Sequence, residues 1–286
     1  MKWVKEVQGE LWLVEKDRDN MQLHYRVKRV IHSENSQYQN IMILDTYDFG
    51  PTLVLDGAIQ TTAKDGFIYN EMISHVPLSI HPDAKNVLII GGGDCGVARE
   101  VVKYSNVEQV DMVEIDERVV TLAKQYLPEV SGNLSDPRVN FHFTDGVEYM
   151  RKMQNQYDII IIDSSDPVGP AVQLFSEVFY KDAFNALKKD GLMVCQSQSP
   201  IFNMDILKQI YRRLSQQFIH TAVYTTVVPT YPGGLWSFTL ASKVYSPNHI
   251  TDQWDQDTLY VDQEILRSCF HLPEFIRHEI SSAQES

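Results

Sequence analysis

The chain predicts a doubly wound α/β fold preceded by a small antiparallel β domain, and three observations carry that reading. From Asn86 onward, apolar runs alternate with amphipathic ones: residues 87–90 then 97–104, 110–115 then 118–127, 139–143 then 147–153, and 157–162 then 177–187. Strands apolar on both faces need cover on both, which is the setting of a parallel sheet flanked by helices. Before residue 60 the pattern changes to short β-rich runs at 11–14, 24–30, 40–44 and 52–55, with polar turns at 33–37 and 48–51. Between these regions, over 64–78, Phe67, Ile68, Met72, Ile73 and Val76 recur at three- and four-residue steps, so a helix is expected to begin near Asp65, its N-cap. Further strands are expected near 192–196, 222–228 and 236–241. The expected division is residues 1–60 for the β domain and 61–286 for the α/β domain. No internal repeat is visible, and residues 281–286 read as a frayed tail.

Composition narrows the partners. The 286 residues include 25 Lys+Arg against 38 Asp+Glu, a formal charge of −13. Sequence-independent binding to nucleic acid requires a cationic footprint, so polyanions are poor partners and cationic or neutral small molecules are favoured. A chain of this length, 43% apolar, can bury one large core. The first twenty residues carry polar or charged groups throughout, unlike a signal peptide, and runs such as 87–90 and 159–162 fall far short of the ~20 residues that span a bilayer. A soluble, cytoplasmic protein without a membrane partner is expected. Cys95, Cys195 and Cys269 are isolated and fit reduced thiols rather than a disulfide framework or zinc site, and the nine His show no HExxH or paired spacing. No metal is expected.

In a doubly wound sheet the ligand sits outside the carboxyl ends of the strands. The first α/β strand ends in Gly91-Gly92-Gly93-Asp94-Cys95-Gly96, a GxGxxG before a helix that permits close backbone approach of a ligand. Glu114 ends the second strand, 23 positions after Gly91, where an acid can accept bonds from ribose hydroxyls; an NAD or an adenosyl ligand fits this Rossmann-like start equally well. Asp116 reads as the N-cap of the next helix. Asp145-Gly146 ends the third strand, either as a turn or as an acceptor for an exocyclic adenine amine. The fourth ends in Asp163-Ser164-Ser165-Asp166-Pro167-Val168-Gly169-Pro170. Four carboxylates, Asp94, Glu114, Asp163 and Asp166, thus converge on one crevice; like charges repel, so the crevice suits a cation.

These stretches, with Leu55-Asp56-Gly57 and Gln60, Ile68-Tyr69-x-Glu71-Met72, Arg99-Glu100 and Pro229-Thr230-Tyr231-Pro232, closely resemble the spermidine synthases, the polyamine aminopropyltransferase family, over residues 10–242. The resemblance implies a Rossmann-like, methyltransferase-type sheet and transfer of the aminopropyl group of decarboxylated S-adenosylmethionine to putrescine, giving spermidine and methylthioadenosine. It implies neither a metal nor a cofactor beyond that co-substrate, and a homodimer or homotetramer. By matching position, Asp163 corresponds to the base for the attacking amine, and Tyr69 and Tyr231 flank that amine. Asp94 and Asp166 hold ammonium groups, Glu114 the ribose, and Asp145 with Gly146 the adenine. Gln39 and Pro170 line the methylthioadenosine, and Asn70 follows Tyr69 on the substrate side, where His or Gln is common.

The chemistry has a use for such groups. An alkylamine with pKa near 10.4 is neutral in about one molecule in 10³ at pH 7, and only the neutral form attacks carbon. A base that meets it in a desolvated site has a raised pKa while the amine's falls, and aromatic faces favour the sulfonium and ammonium. Asp94 also offers a selection device. The carboxylate of ordinary S-adenosylmethionine at 4 Å from it costs roughly 4 kcal/mol at an effective dielectric near 20, or ~10³-fold.

Five positions depart from the family pattern. Gly66 stands for Glu, Asn70 for His or Gln, Cys95 for Gly and Gln198 for Glu, and Leu266 lies where the usual His is lost. Agmatine, cadaverine or a longer amine therefore stand beside putrescine as acceptors. Cys95 reads as a glycine substitute, with a reactive thiol near a helix N-terminus as the alternative. Of the rival classes, an NAD-dependent oxidoreductase has no use for Asp163 and Asp166, whereas a non-catalytic polyamine-binding protein keeps the same acidic crevice.

Overall fold

The computed structural model describes residues 2–166, 169–250 and 254–285. Six strands, β1 (Val4–Val7), β2 (Glu10–Arg18), β3 (Met21–Asn35), β4 (Asn40–Thr46), β5 (Gly50–Leu55) and β6 (Ala58–Thr62), pair antiparallel in chain order. Alternation along β4 explains the two faces of this sheet. Ile41 and Ile43 pack with Leu53 on one side, and Met42 and Leu44 pack with Leu13, Val27 and Val54 on the other.

The remainder runs α1 (Gly66–Ile80), β7 (Asn86–Gly91), α2 (Gly96–Val101), β8 (Gln109–Glu114), α3 (Glu117–Tyr126), α4 (Pro128–Ser131), β9 (Val139–Phe143), α5 (Gly146–Arg151), β10 (Tyr157–Asp163) and a 3-10 helix, Gly169–Phe175. It continues α6 (Glu177–Ala186), β11 (Leu187–Gln196), α7 (Met204–Ser215), β12 (His220–Val227), β13 (Leu235–Ser242), α8 (Gln263–Ser268) and α9 (Glu274–Glu285). The second sheet has the order β12-β13-β11-β10-β7-β8-β9. β7 to β11 are parallel, and β13 runs antiparallel to both β11 and β12. The parallel strands are buried on both sides, as their uninterrupted apolar runs predict. Val87, Ile89, Ile159 and Ile161 meet Met72, Ile73 and Val76 of α1, while Leu88, Ile90, Ile160 and Ile162 meet Phe179, Tyr180 and Ala183 of α6 and Leu214 of α7. Each such side chain contributes roughly 1.5–3 kcal/mol on burial. The outer face of the first sheet's Ile41–Ile43 side docks on Val119, Leu122 and Leu127 of the α3–α4 region, which joins the two sheets. Among the described residues, no helix is long and apolar enough to cross a membrane.

Three expectations need correction. β1 and β6 extend the first sheet beyond the four runs read from the sequence. Asp65 occupies the N-cap position of α1, but its side chain makes no capping bond, because its oxygens are taken by Thr62 and Thr230. The expected tail at 281–286 is helical through residue 285: α9 lays Ile276 and Ile280 on Leu207 and Tyr211 of α7 and Val223 of β12, and this contact holds the end of the chain. Ile276 is fully buried. Ile276→Ala is expected to lower the free energy of unfolding by about 2–5 kcal/mol, measured by urea denaturation.

Candidate active site

β7 and β10 are neighbours in register, with Asp163 opposite Gly91. The Gly92 amide donates to the Asp163 carbonyl at 3.0 Å, so the glycine loop and the fourth strand end leave the sheet together. Gly91 has φ +85°, and a Cβ there would lie 2.1 Å from that carbonyl oxygen, so only glycine permits this approach. The loop then presents Asp94, whose Oδ1 accepts the Gly96 amide at 2.8 Å. Cys95 follows with φ +67°, a conformation that suits the glycine it replaces. Its thiol is fully buried and pushed up to about 12 by burial, which removes the reactive-thiol alternative.

Tyr69 projects from α1 and donates its hydroxyl to Asp163 Oδ1 at 2.7 Å. Tyr231, on the loop between β12 and β13, sets its ring edge-on to that of Tyr69, with centroids 5.8 Å apart. The phenol of Tyr69 is pushed well up, first by burial and then by the charge of Asp163; that of Tyr231 likewise, with Asp163, Asp94 and Asp166 all contributing. Both remain neutral hydrogen-bond donors. Asp163 itself rises from 3.8 to about 7, through burial first and the charges of Asp94 and Glu114 next, against the opposing bond from Tyr69. Burial is also the largest cause raising Asp94, opposed by the Gly96 amide and by the charge of Arg99. Glu114 is pushed up to about 7 by burial and by Asp116 and Asp94, although its Oε1 accepts the Asp116 amide at 2.9 Å. All three acids keep some contact with solvent, but protein surrounds their carboxylates closely, so lost hydration dominates. Asn70 is buried beside them, with neither amide atom in a hydrogen bond to protein.

The other predicted positions fall around this centre. Asp116 caps α3 at the Arg118 amide and, through Oδ2, accepts the Ser36 hydroxyl at 2.6 Å and Gln39 Nε2 at 2.9 Å. That clasp brings Gln39, in the turn between β3 and β4, to the end of β8. Asp145 and Gly146 lie at the end of β9, two strands out from β7, where Asp145 Oδ1 caps α5 through the amides of Val147 and Glu148. Asp166 is exposed and accepts from Gln198 Nε2 at 2.5 Å. Gln198 has φ +68° and accepts from Asn203 Nδ2 at 2.9 Å, so the residue standing for the family's Glu is a fixed donor to Asp166. Pro167 and Val168 lie outside the described residues, and of Pro170 the structure describes only a place in the 3-10 helix.

One candidate residue was not read from the sequence. Glu15 of β2 is buried, accepts the Ile59 amide at 3.1 Å through Oε1, and has no partner for Oε2. It is pushed up to about 8, by burial above all, with Asp17 and Asp166 also acting on it. Its only sequence signal is an acid closing the apolar run Leu11-Trp12-Leu13-Val14. A second group of potential ligands, His81, Asp158 and Asp190, places its atoms within 4.8 Å of one another near the starts of β10 and β11. There Asp158 Oδ2 already accepts Lys188 Nζ and the amides of Lys85 and Asn86, so protein groups meet its charge.

An acidic, aromatic-walled crevice at the carboxyl edge of a Rossmann-like sheet marks this chain as a protein built to hold a cationic small molecule. The comparisons with known proteins name the family. Residues 66–252 match the spermine/spermidine synthase domain and residues 11–63 the spermidine synthase tetramerisation domain. The polyamine aminopropyltransferases of Moorella thermoacetica and Methanocaldococcus jannaschii are each 45% identical, over 96% of this chain and 98% and 97% of theirs. A spermidine synthase solved with the transition-state analogue AdoDATO superposes with a TM-score of 0.92 at 38% identity, covering 99% of this chain and all of the other. The enzyme from Thermotoga maritima gives 0.91 at 38% identity, over 97% and 96% of the two chains. The chain belongs to the spermine/spermidine synthase family and is an aminopropyltransferase.

The raised acids carry a cost with a defined sign. Asp163 binds its proton more tightly folded, at about 7, than at its ordinary 3.8, so its contribution to stability is full below about pH 4 and lost as pH rises through 7. Asp163→Asn removes that titration. Its melting temperature relative to the parent is expected to climb between pH 4 and 7 and then level off, as followed by differential scanning calorimetry without ligand.

Proposed function

We propose that the enzyme transfers the aminopropyl group of decarboxylated S-adenosylmethionine to putrescine, giving spermidine and methylthioadenosine. The observation that carries this reading is the Asp163 carboxyl, hydrogen-bonded to Tyr69, walled by Tyr231 and pressed by the charges of Asp94 and Glu114. In the reaction the amine nitrogen bonds to the methylene carbon beside the sulfonium, and the carbon–sulfur bond breaks with its electron pair going to sulfur. The amine proton passes to Asp163. A free alkylamine and a free carboxylate differ by about 6 pKa units; raising the acid to about 7 closes about half of that gap from one side, and desolvation of the amine narrows it further. The sulfonium is itself the electrophile, so the step asks for no metal or further cofactor.

The family resemblance suggests roles for the remaining residues, and where the structure describes their side chains it supports them. Asp94 takes the ammonium of the donor arm, Glu114 the ribose, and Asp145 with Gly146 the adenine end. Gln39, clasped by Asp116 through its nitrogen, has its oxygen to offer the donor, and by family resemblance alone Pro170 is assigned to the thioether end. Asn70, buried with an unsatisfied amide, serves the polar substrate atoms beside Tyr69. Asp166 and Glu15 take the far ammonium of the acceptor; an ionised ligand there lets Glu15 release its proton. The matched tetramerisation domain supports a homo-oligomer, either dimer or tetramer, and the three buried free thiols suit a reducing cytoplasm.

Incubation with decarboxylated S-adenosylmethionine and a panel of putrescine, agmatine, cadaverine and spermidine, following methylthioadenosine release, is expected to give product fastest with putrescine; no release with any amine would refute the reading. Asp163→Asn is expected to lower kcat by about 10²–10⁴-fold while leaving donor affinity within a few-fold, by single-turnover kinetics and calorimetric titration. Asp94→Asn is expected to erode the preference for the decarboxylated donor over S-adenosylmethionine, and an unchanged ratio of kcat/KM values would exclude charge repulsion as the selector.

A further inference from the structure

The loop between β12 and β13 carries Tyr231, yet much of its anchorage comes from the first 65 residues of the chain. Thr230 is almost wholly buried, and each of its polar atoms has a partner outside the loop. Its amide and its hydroxyl both donate to Asp65 Oδ2, at 2.9 and 2.7 Å, and its carbonyl accepts the Tyr25 hydroxyl of β3 at 3.0 Å. The next residue, Tyr231, donates its hydroxyl to the Gln60 carbonyl of β6 at 2.8 Å. Asp65 is itself buried and immobilised, with Oδ1 accepting the Thr62 hydroxyl at 2.5 Å. A carboxylate at a helix N-cap position ordinarily bonds its own helix, and here that bond is forgone. A local rule broken in favour of a long-range contact marks a position selected for what it holds.

We infer that Asp65 and Tyr25 are positioning residues, which clamp Thr230 and thereby set the ring of Tyr231 against the acceptor amine. The inference rests on the proposed role of Tyr231 in flanking that amine. The antiparallel domain thus completes the acceptor pocket of the same chain. The loop's own bonds, Val228 amide to Gly234 carbonyl at 2.7 Å and Gly234 amide to Tyr231 carbonyl at 2.8 Å, shape the turn but do not tie it to Tyr69 or Asp163.

The test compares Asp65→Ala, Asp65→Asn and Tyr25→Phe with the parent in the full-length enzyme. Expected are faster amide hydrogen exchange over residues 228–234 with β12 and β13 unchanged, an acceptor KM raised about tenfold, and affinity for methylthioadenosine within twofold of the parent. Asp65→Asn, which keeps an accepting oxygen, should recover part of the loss. Parent-like exchange and acceptor KM in both Asp65→Ala and Tyr25→Phe would overturn the clamp, and so would loosening spread evenly over both sheets. Should Asp65→Ala fail to fold, Tyr25→Phe, which removes one hydroxyl, decides by the same readouts. If the parent transfers to no amine, the functional reading fails, while the exchange comparison still tests the clamp.

Discussion

The site rests on keeping several carboxylates close together and short of water, with the charge of Arg99 opposing but not cancelling the rise of Asp94. Asp94 raises the proton affinity of both Glu114 and Asp163, Glu114 raises that of Asp163, and burial raises all three. Such an arrangement works against folding, so the surrounding structure has to impose it. The doubly covered parallel strands do so, because a strand buried on both faces cannot shift to separate its terminal acids without moving a close-packed core. Such a grouping of acids suits a positively charged ligand, whose charge would offset the repulsion.

The same constraint explains the backbone around the acids. Asp163 pairs in register with Gly91, and the glycine loop approaches so closely that a side chain has no room. Loop and strand end form one unit, and Tyr69 reaches it from α1 to bond the Asp163 carboxylate. The second ring, Tyr231, arrives from a distant loop and is held to the antiparallel domain through Gln60. The candidate site therefore leans on both sheets, and the contact between Ile41, Ile43 and the α3–α4 region holds those sheets together.

Much of this was legible before folding because it depends on short spacing. The strand ends, the GxGxxG turn and the paired acids at 163 and 166 stand where chain-local pattern puts them, and the structure gathers Asp94, Glu114 and Asp163 accordingly. Asp116 as a cap was legible for the same reason, but its second oxygen, which clasps Gln39, was not. Asp65 shows the failure most clearly: its sequence context reads as a helix cap, and a partner 165 residues away takes the side chain instead. Glu15 carries no local sign of burial, because what closes over it is β6, through the Ile59 amide, from 44 residues away. The apolar faces of α7 and α9 are regular in spacing, yet only their mutual contact turns the last residues from a tail into a helix.

By itself, then, the sequence determined the fold class, the alternation of apolar strands with helices from β7 to α6, the acids that end those strands, and through its motifs the family. These are properties of period, turn residues and local spacing, which act over a few residues. Only the tertiary structure decided which acids share a crevice, how far burial shifts them, and which loop leans on which domain. Hydration loss and hydrogen-bond partnership depend on atoms brought together from distant parts of the chain, and no local pattern encodes them.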